Sequence, residues 1–480
     1  MDERRTTTWD TLQEALGAYE RGDSVRFHMP GHKGRGMNGF WRDELLLWDV
    51  TELSGTDNLH APHGAIAGAQ RQMANAYGAK ASFFVVNGGT NAVQAMILAL
   101  GEHDKLLLAR DCHRSAVSGA ALRGIETCYV SPRYDEARGL LGMVTPEDLD
   151  RALKETGATV ALITSPNAYG FCADVKGLAE AAHRNGALLL VDSAHGAHYP
   201  FSDALPQSLG GVADLFAHSQ HKTMDALTQA ASLHLGDCRI SEDRVRRALA
   251  MTETTSPSYL LMASLDWSVY MARRRDWTGQ VRRCMELEEK IEAIDGLRVF
   301  HDPIGIGVYE RDRTRLVIDV TGRGTTGYEA QAKLEERGIY FEMADLRRLV
   351  LITTPNDEPD WYERLLESLA ALPERSPILT KSAAEEIRVA GNRQCASIRE
   401  ATFAESEAIP LARADGRIAT EPIGIYPPGI ALVMPGETID RRAIEYLTAE
   451  ERGGGALFGV RDGRVFVMKE MGDEHAGTTA

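Results

Sequence analysis

Residues 215–223 read Leu-Phe-Ala-His-Ser-Gln-His-Lys-Thr, an apolar strand-like run that ends in polar residues. A strand end can hold Lys222 rigidly beside Ser219 and His221. A lysine amine that is partly removed from water loses its proton and becomes a nucleophile towards aldehydes. Taken alone, a Ser-x-His-Lys tetrapeptide is more often an ordinary solvated loop. Lys222 is therefore a candidate reactive residue only if other segments point to the same place.

Six strand-like runs, including 215–218, alternate with helical segments, which predicts a mostly parallel sheet covered on both faces. The other five predicted strands are 82–86, 105–109, 125–130, 159–164 and 187–191. Ligands bind at the carboxyl ends of the strands in such sheets. Polar residues follow four of the strands there, namely Asp111 with His113, residues 165–170, Asp192 with His195, and residues 219–222. This convergence raises Lys222 above an ordinary loop lysine.

The strand predicted at 82–86 leads into a tight turn, Asn87-Gly88-Gly89-Thr90-Asn91, and then into a helix predicted at 92–100. Glycines let the backbone approach a ligand closely, and a helix N-terminus offers unpaired N–H groups and a partial positive charge. The unit suits a phosphate group. A strand-to-helix connection without a ligand is the alternative, and the hydroxyl of Thr90 does not decide between the two.

A loop rich in glycine, histidine and proline occupies residues 27–36 (Phe-His-Met-Pro-Gly-His-Lys-Gly-Arg-Gly). Its glycine content disfavours a helix. The phosphate-loop pattern Gly-x-x-x-x-Gly-Lys-Ser/Thr is absent. Two interpretations stay open, an arm that covers a site or a surface loop.

The length and composition of the chain limit the classes of protein to which it can belong. The 480 residues, 44% of them hydrophobic and 25% charged, are enough for a large core and two or three domains. A net charge of −16 argues against a nucleic-acid surface. The six cysteines lack the spacing of a zinc site, so we expect no metal and a reduced, cytoplasmic protein. No run of about eighteen apolar residues occurs, so we expect neither an export signal nor a membrane span.

The pattern of elements predicts four units: an N-terminal arm (1–55), a large cofactor-binding domain (56–285), a small α+β domain (286–380) and a C-terminal domain (381–480). Further predicted helices are 8–21, 66–77, a single long helix at 260–294, 327–337 and a charged helical stretch at 384–412. Further predicted strands are 297–300, 305–310, 316–320 and 349–354. Prolines and glycines predict a loop at 422–436, and the tail beyond residue 471 is expected to be disordered.

A lysine amine, an aspartate, an imidazole and a phosphate cradle at one sheet edge match the needs of pyridoxal phosphate. Its aldehyde forms a Schiff base with a lysine, and an aspartate keeps its pyridine nitrogen protonated. Asp192 suits the second role because it follows the apolar run 188–191. Each residue also has an ordinary alternative: a helix cap for Asp192, a loop histidine for His113 and a core histidine for His195.

With these motifs the chain resembles the fold-type-I ornithine/lysine/arginine decarboxylases, in the short form that lacks an N-terminal receiver-like wing domain. The likeness covers nearly the whole chain. The motifs that carry it are 28–33 (His-Met-Pro-Gly-His-Lys), 49–53 (Asp-Val-Thr-Glu-Leu), 86–90 (Val-Asn-Gly-Gly-Thr), 112–115 (Cys-His-Arg-Ser), 192–198 (Asp-Ser-Ala-His-Gly-Ala-His), 219–223, 254–259 (Thr-Thr-Ser-Pro-Ser-Tyr), 426–430 (Tyr-Pro-Pro-Gly-Ile) and 435–437 (Pro-Gly-Glu).

The resemblance implies a pyridoxal-phosphate transferase fold of type I, with a mostly parallel, seven-stranded type of sheet, a smaller α+β domain and a C-terminal domain. It assigns the cofactor aldehyde to Lys222, the pyridine nitrogen to Asp192 and the ring face to His113. It assigns the phosphate to Gly89, Thr90, Ser219 and His221, and the opposite face and phenolic edge to Ala194 and His195. Family members are obligate dimers with the site at the subunit interface, which implies that Ser256 reaches the partner subunit's phosphate.

Two departures from the family pattern stand out. The turn has Gly89 where a serine is usual and Ala92 where a second glycine is usual, so one hydroxyl donor is missing and weaker phosphate affinity is expected. Ala431 replaces a usual proline, which is expected to alter the loop on the substrate side.

The implied reaction is removal of the α-carboxylate of a basic amino acid, arginine first and then lysine or ornithine, with Lys222, His113 and Asp192 as catalytic residues. Glu437 and Asp57 are candidates to bind the cationic side chain of the substrate. The alternative for each is an ordinary charged residue on the surface. An aminotransferase or aldolase is the alternative, although no arginine can be assigned to the α-carboxylate. A non-catalytic protein that keeps the fold is an alternative of another class.

Overall fold

The computed structural model describes residues 24–35, 45–53, 55–135, 138–301, 304–376, 393–426 and 430–470. The helix predicted at 8–21 and the tail beyond residue 471 lie outside these ranges. Within them, no helix has the length and apolar character needed to cross a membrane. All six cysteines lie in the described residues and are free thiols.

A seven-stranded sheet forms the centre of the molecule. Its strands in chain order are β1 (Ala81–Val85), β2 (Lys105–Ala109), β3 (Glu126–Val130), β4 (Val160–Thr164), β5 (Leu188–Asp192), β6 (Leu215–His218) and β7 (Ala231–Leu235). Their spatial order is β1-β7-β6-β5-β4-β2-β3. Strands β2 to β6 pair in parallel, whereas β7 pairs antiparallel with β1 and β6. The predicted sheet is confirmed, but the sequence analysis missed β7, because Ser232 and His234 interrupt its apolar run.

Both faces of this sheet are buried because its strands are apolar at successive positions. In β5, Leu189 and Val191 belong to one apolar cluster, and Leu188 and Leu190 belong to the other. The helices that contribute to the first cluster are Ala65–Tyr77, Pro146–Thr156, Val175–Arg184 and Tyr259–Ala272. The helices on the second are Gly88–Leu98, Arg114–Arg123 and Glu242–Thr252. Strands buried on both faces are typical of parallel sheets.

The segment 260–294 forms two helices, so the prediction of one long helix is wrong. The helices are Tyr259–Ala272 and Trp277–Glu292. Asp276 begins the second helix, because its side chain accepts a hydrogen bond of 2.8 Å from the backbone N–H of Gly279. An aspartate that caps a new helix separates the two apolar stretches.

A second sheet has the strand order Arg298–Val299, Arg315–Asp319, Arg348–Ile352, Met343–Ala344. The helices beside it are Gly327–Glu335 and Pro359–Ala370, and their apolar faces pack on the sheet in a separate core. The strand predicted at 305–310 is confined to Glu310–Arg311, because Gly305, Ile306 and Gly307 adopt positive φ and form a turn. The other predicted elements of this unit are found within two residues. The predicted domain boundaries stay a prediction.

The C-terminal part is richer in strands than predicted. Residues 384–392 of the predicted helical stretch 384–412 lie outside the described residues. Helix Ile398–Phe403 is followed by strand Ser406–Pro410, so the helical prediction is wrong at this strand. The loop predicted at 422–436 contains two antiparallel strands, Ile423–Tyr426 and Ile430–Val433. Residues 427–429, Pro-Pro-Gly, lie outside the described residues. The remaining elements are Arg441–Arg452, Ala456–Phe458, Val460–Arg461 and Arg464–Met468.

Candidate active site

A cavity of about 630 Å³ opens at the carboxyl ends of the central strands. Nine of the ten predicted cofactor-binding residues line it, namely Gly89, Thr90, His113, Asp192, Ala194, His195, Ser219, His221 and Lys222. They follow β1, β2, β5 and β6, as the sequence analysis predicted from the edge of a parallel sheet.

Lys222 lies in a one-turn helix, Gln220–Thr223, directly after β6. Its Nζ atom is 3.0 Å from Nε2 of His195. Burial lowers the pKa of Lys222, and the negative charge of Asp192 opposes that lowering. A lowered pKa increases the share of neutral amine, which is the nucleophilic form.

His195 connects Lys222 to an arginine that the sequence analysis did not identify. Nη2 of Arg315 donates a hydrogen bond of 2.9 Å to Nδ1 of His195, and Nη1 donates one of 2.9 Å to the carbonyl oxygen of Ala168. Burial, followed by the charges of Lys222 and Arg315, lowers the pKa of His195 well below its usual value. The imidazole is therefore neutral and lines the cavity rather than the core.

Asp192 is the last residue of β5 and is buried. Its carboxylate accepts a hydrogen bond of 3.2 Å from the backbone N–H of Ala194 and caps no helix. Burial raises the pKa of Asp192, while attraction to Lys222 lowers it. Asp111 lies beside it, and burial together with the charge of Asp192 raises the pKa of Asp111 to about 7. A buried carboxylate in this position is best stabilised by a protonated partner.

His113 is the N-cap of helix Arg114–Arg123, where its Nδ1 accepts a hydrogen bond of 3.2 Å from the backbone N–H of Ser115. Burial, and then the charge of Lys222, lowers the pKa of His113 to about 4. The ring is neutral near pH 7, so it suits stacking on a planar group better than it suits proton donation. The backbone of His113 also forms a β-bridge with Ile430, which brings the C-terminal part to the cavity.

One end of the cavity is built for an anion. The helix Gly88–Leu98 starts earlier than predicted, so residues 88–90 form its first turn and present unpaired N–H groups. A Cβ atom added at Gly89 would lie 2.2 Å from Oγ of Ser219, so the glycine permits this close approach. His221 lies here too, and its Nδ1 donates to the carbonyl oxygen of Ala230 (3.0 Å). Its Nε2 can therefore donate only when the ring is protonated.

His28 and Met29 of the glycine-rich loop line the cavity, so its described residues, 27–35, form an arm over the site and not a separate surface loop. Strand Val25–Phe27 pairs in parallel with strand Ile339–Phe341 of the smaller unit. The backbone N–H of Gly31 donates a hydrogen bond of 2.7 Å to the carbonyl oxygen of His221. A Cβ atom added at Gly31 would lie 2.4 Å from the carbonyl carbon of Thr223. The arm therefore packs directly on the backbone that carries the reactive lysine.

Glu342 is a cavity carboxylate that the sequence analysis missed. It lies between Phe341 and Met343 and is half-buried. Its Oε2 accepts a hydrogen bond of 3.0 Å from the backbone N–H of Met29 in the arm, and no described cation forms an ion pair with it. After Asp192, it is the next charge that acts to raise the pKa of Lys222. Glu342 thus places a carboxylate near the reactive amine.

Glu437, which the sequence analysis predicts to contact a substrate cation, lies away from the cavity of its own chain, and its substrate role stays a prediction. Glu437 is 3% exposed and does not line the cavity. Its Oε1 lies 2.5 Å from Nη1 of Arg110, and its Oε2 accepts a hydrogen bond of 2.9 Å from the backbone N–H of Met434. The carboxylate therefore neutralises a buried arginine of the chain itself.

Asp57 also forms hydrogen bonds away from the cavity, and its predicted contact with the substrate stays a prediction. Its carboxylate accepts hydrogen bonds from the backbone N–H groups of Asn58, His63, Gly64, Ile66 and Ala67. Against the raising effect of burial, these bonds lower the pKa of Asp57 to about 2. Asp57 thus anchors the start of helix Ala65–Tyr77.

Three further predicted positions lie away from the cavity. Ser256 is exposed and does not line it, so its assignment to a partner subunit's phosphate stays a prediction. Ala92 is buried in helix Gly88–Leu98, and Ala431 is buried in strand Ile430–Val433. The Ala431 departure therefore lies in the core and not in a loop.

Comparison with known proteins identifies the family in which this arrangement of residues occurs. The profile of the Orn/Lys/Arg decarboxylase major domain matches residues 11–312, and that of the Orn/Lys/Arg decarboxylase C-terminal domain matches residues 379–462. The chain belongs to this family. An arginine decarboxylase of Bacillus subtilis (strain 168) is 33% identical over 97% of this chain and 98% of its own length.

Two solved structures share the fold of this Orn/Lys/Arg decarboxylase. Lysine decarboxylase A from Pseudomonas aeruginosa has a TM-score of 0.76 at 19% identity, covering 96% of this chain and 78% of its own. A structure of SPT with PLP has a TM-score of 0.54 at 17% identity, covering 73% and 86%. The predictions of the family, of a decarboxylase and of the type I fold are confirmed.

Sequence signals for the two missed residues of the decarboxylase exist but are faint. Arg315 opens the apolar run 316–318, and Glu342 stands between the apolar residues Phe341 and Met343. A charged residue in such a setting is buried only if it has partners or a function. Neither residue lies near a recognisable motif.

Proposed function

We propose that the chain is a pyridoxal-phosphate-dependent decarboxylase that converts a basic amino acid, with arginine preferred, into the corresponding amine. One observation carries the proposal: the buried amine of Lys222, 3.0 Å from Nε2 of His195, shares a cavity with the buried carboxylate of Asp192. The relative named arginine decarboxylase supports arginine ahead of lysine and ornithine.

The cavity residues fit pyridoxal phosphate. Lys222 offers a neutral amine to the aldehyde, and Asp192 offers a buried carboxylate to a protonated pyridine nitrogen. The first turn of helix Gly88–Leu98, with Ser219, offers donors to the phosphate, and the absence of a side chain at Gly89 lets Oγ of Ser219 approach this turn closely. When bound, the cofactor supplies a ring system that accepts the electron pair released as carbon dioxide leaves.

The side chains of the chain perform the remaining tasks. Neutral His113 stacks on one face of the planar group, and Ala194 lines the other. The arm at residues 28–31 limits access of water. Lys222 would hold the cofactor aldehyde and, once the amino group of the substrate has replaced it and passed a proton to it, would be positioned to return that proton to Cα. His113 is a poor donor for that step, because its pKa is lowered to about 4.

Glu342 replaces Glu437 as the proposed partner of the substrate's cationic side chain. We expect Glu342→Gln to raise KM for arginine by roughly tenfold to a hundredfold, because hydrogen bonds to charged groups contribute about 1.5–3 kcal/mol. Glutamine keeps an acceptor for the N–H of Met29, so the arm stays anchored and kcat changes less than KM. Steady-state kinetics of carbon dioxide release measure both constants.

The matched control for this substitution is Glu336→Gln, which removes the same charge from an exposed position of the same unit. Its KM for arginine should equal that of the wild type. An unchanged KM in Glu342→Gln with a reduced kcat would exclude Glu342 from side-chain recognition.

An aminotransferase or aldolase is the second candidate, and Arg315 is the observation that favours it. Such enzymes use the same lysine and aspartate and hold the α-carboxylate with an arginine. Arg315 lines the cavity, but its Nη atoms already donate to Ala168 and His195. A non-catalytic protein that keeps the fold is disfavoured by the complete set of Lys222, Asp192 and His195.

Carbon dioxide release from carboxyl-labelled arginine, lysine and ornithine tests the proposal directly. The cofactor-loaded protein is expected to release labelled carbon dioxide fastest from arginine and to leave an equal amount of amine. A keto acid in place of carbon dioxide would establish the aminotransferase. Absence of any product from all three substrates, with the cofactor bound, would support the non-catalytic alternative.

The assembly proposed for the enzyme is a homodimer with sites at the interface. The exposure of Ser256 supports this, because the phosphate role assigned to it requires a partner subunit's cavity. Free thiols at all six cysteines support a reduced, cytoplasmic setting.

A further inference from the structure

Three side chains form a continuous hydrogen-bonded chain behind the reactive amine. Arg315 opens strand Arg315–Asp319 and is 1% exposed. Its Nη2 is 2.9 Å from Nδ1 of His195, and Nε2 of the same ring is 3.0 Å from Nζ of Lys222. The other guanidinium nitrogen, Nη1, is fixed on the carbonyl oxygen of Ala168. The arginine is therefore held in one orientation on both sides.

The chemistry of the donors determines where the protons lie in this chain. A guanidinium only donates, so Nδ1 of His195 must accept, and a neutral ring then carries its hydrogen on Nε2. Nε2 therefore donates, and Nζ of Lys222 must accept. Only a neutral amine has a lone pair with which to accept. An ammonium at Lys222 would require both ring nitrogens to accept, which a neutral imidazole cannot do.

We propose that Arg315 is a positioning residue that acts through His195: it fixes the tautomer that donates to Lys222 and so keeps that amine unprotonated and oriented. The inference rests on the proposed role of Lys222 but not on the identity of the substrate. The other titratable groups facing Lys222 are the carboxylates of Asp192 and Glu342 and the rings of His113 and His221. The two carboxylates favour the ammonium, whereas burial first and then the nearby charge of Arg315 oppose it, and the hydrogen bond from His195 adds to this opposition.

Acylation of the cofactor-free protein tests this inference without any substrate. A short pulse of acetic anhydride at a series of pH values, followed by mass spectrometry of the peptide that contains Lys222, gives the pH at which its amine becomes reactive. Arg315→Met is expected to move this pH upwards and to lower the labelling rate at pH 7 about tenfold, because one charge-assisted hydrogen bond is lost. Arg315→Lys should recover part of the rate, since an ammonium also donates to Nδ1.

A matched control is Arg348→Met, because Arg348 is equally buried on the neighbouring strand but pairs with Asp345. It should lower stability and leave the labelling profile of Lys222 unchanged. His195→Phe keeps a planar ring without nitrogens and should shift the profile upwards, with a shift in the double variant smaller than the sum of the two single shifts, because only the direct charge of Arg315 acts without the ring. The His195→Phe variant tests the hydrogen-bonded chain even if Arg315→Met fails to fold.

The inference is overturned if Lys222 of the wild type labels only at the alkaline pH required by the exposed Lys154, or if Arg315→Met leaves the profile in place. Equal shifts in Arg315→Met and Arg348→Met would reduce Arg315 to a structural residue. The proposed function would stand without this inference if the wild type binds pyridoxal phosphate and releases carbon dioxide while Arg315→Met leaves the pH profile of Lys222 labelling unchanged.

Discussion

Lys222→Ala is expected to lose the visible absorbance band that forms when pyridoxal phosphate is added, and to lower carbon dioxide release from arginine by at least about a thousandfold. The reason is that, within the described residues, Lys222 supplies the cavity amine that can attack an aldehyde. Its Nζ lies 3.0 Å from Nε2 of His195, which orients it. Absorbance titration with the cofactor and a carbon dioxide assay measure the two effects separately.

Two companion variants sharpen the Lys222 result. Lys222→Arg keeps a long nitrogen-bearing side chain near Asp192, but its permanently charged guanidinium cannot attack the aldehyde, so it should behave like the alanine variant if nucleophilicity is what matters. Lys154→Ala removes an exposed lysine that pairs with Asp150, and it should retain the band and the activity. Formation of the same band in Lys222→Ala would assign the cofactor to another amine and contradict the proposed site.

The residues of the site that follow the central strands were predictable from the sequence. Asp192 ends one apolar strand, Ser219 follows another, and Lys222 lies in the short helix after it, while the carboxyl ends of parallel strands meet at one edge. Spacing along the chain therefore carried three-dimensional information. The same reasoning identified the turn at residues 87–91, although the helix begins inside that turn, at Gly88.

Residues from the smaller unit were not predictable in the same way. Arg315 and Glu342 reach the cavity only because that unit packs against the edge of the central sheet, and no local pattern specifies such an approach. The position of the arm was not predictable for the same reason. It depends on the contact of Gly31 with His221, about 190 residues later in the chain. Long-range packing also explains why the pairing of Glu437 with Arg110 was missed, because nothing near Glu437 in sequence indicates Arg110.

Glu437→Leu is expected to lower the free energy of unfolding by about 3–5 kcal/mol, because it leaves the guanidinium of Arg110 buried without its counter-charge. The two side chains are 9% and 4% exposed, and Nη2 of Arg110 also donates to the carbonyl oxygen of Leu432. Urea unfolding at a fixed protein concentration measures the change. The ion pair links the end of β2 to the C-terminal part of the chain. The lost stability should therefore come from a weaker contact between these two parts.

The double variant Arg110→Met with Glu437→Leu should recover much of the loss, because it removes both charges together. Glu421→Leu breaks the exposed pair with Arg461 and should cost no more than about 1 kcal/mol. A structural role and a substrate role then make opposite predictions for Glu437. If Glu437→Leu left unfolding unchanged but raised KM for arginine, the carboxylate would belong to the substrate site, and the pairing with Arg110 would not be its function.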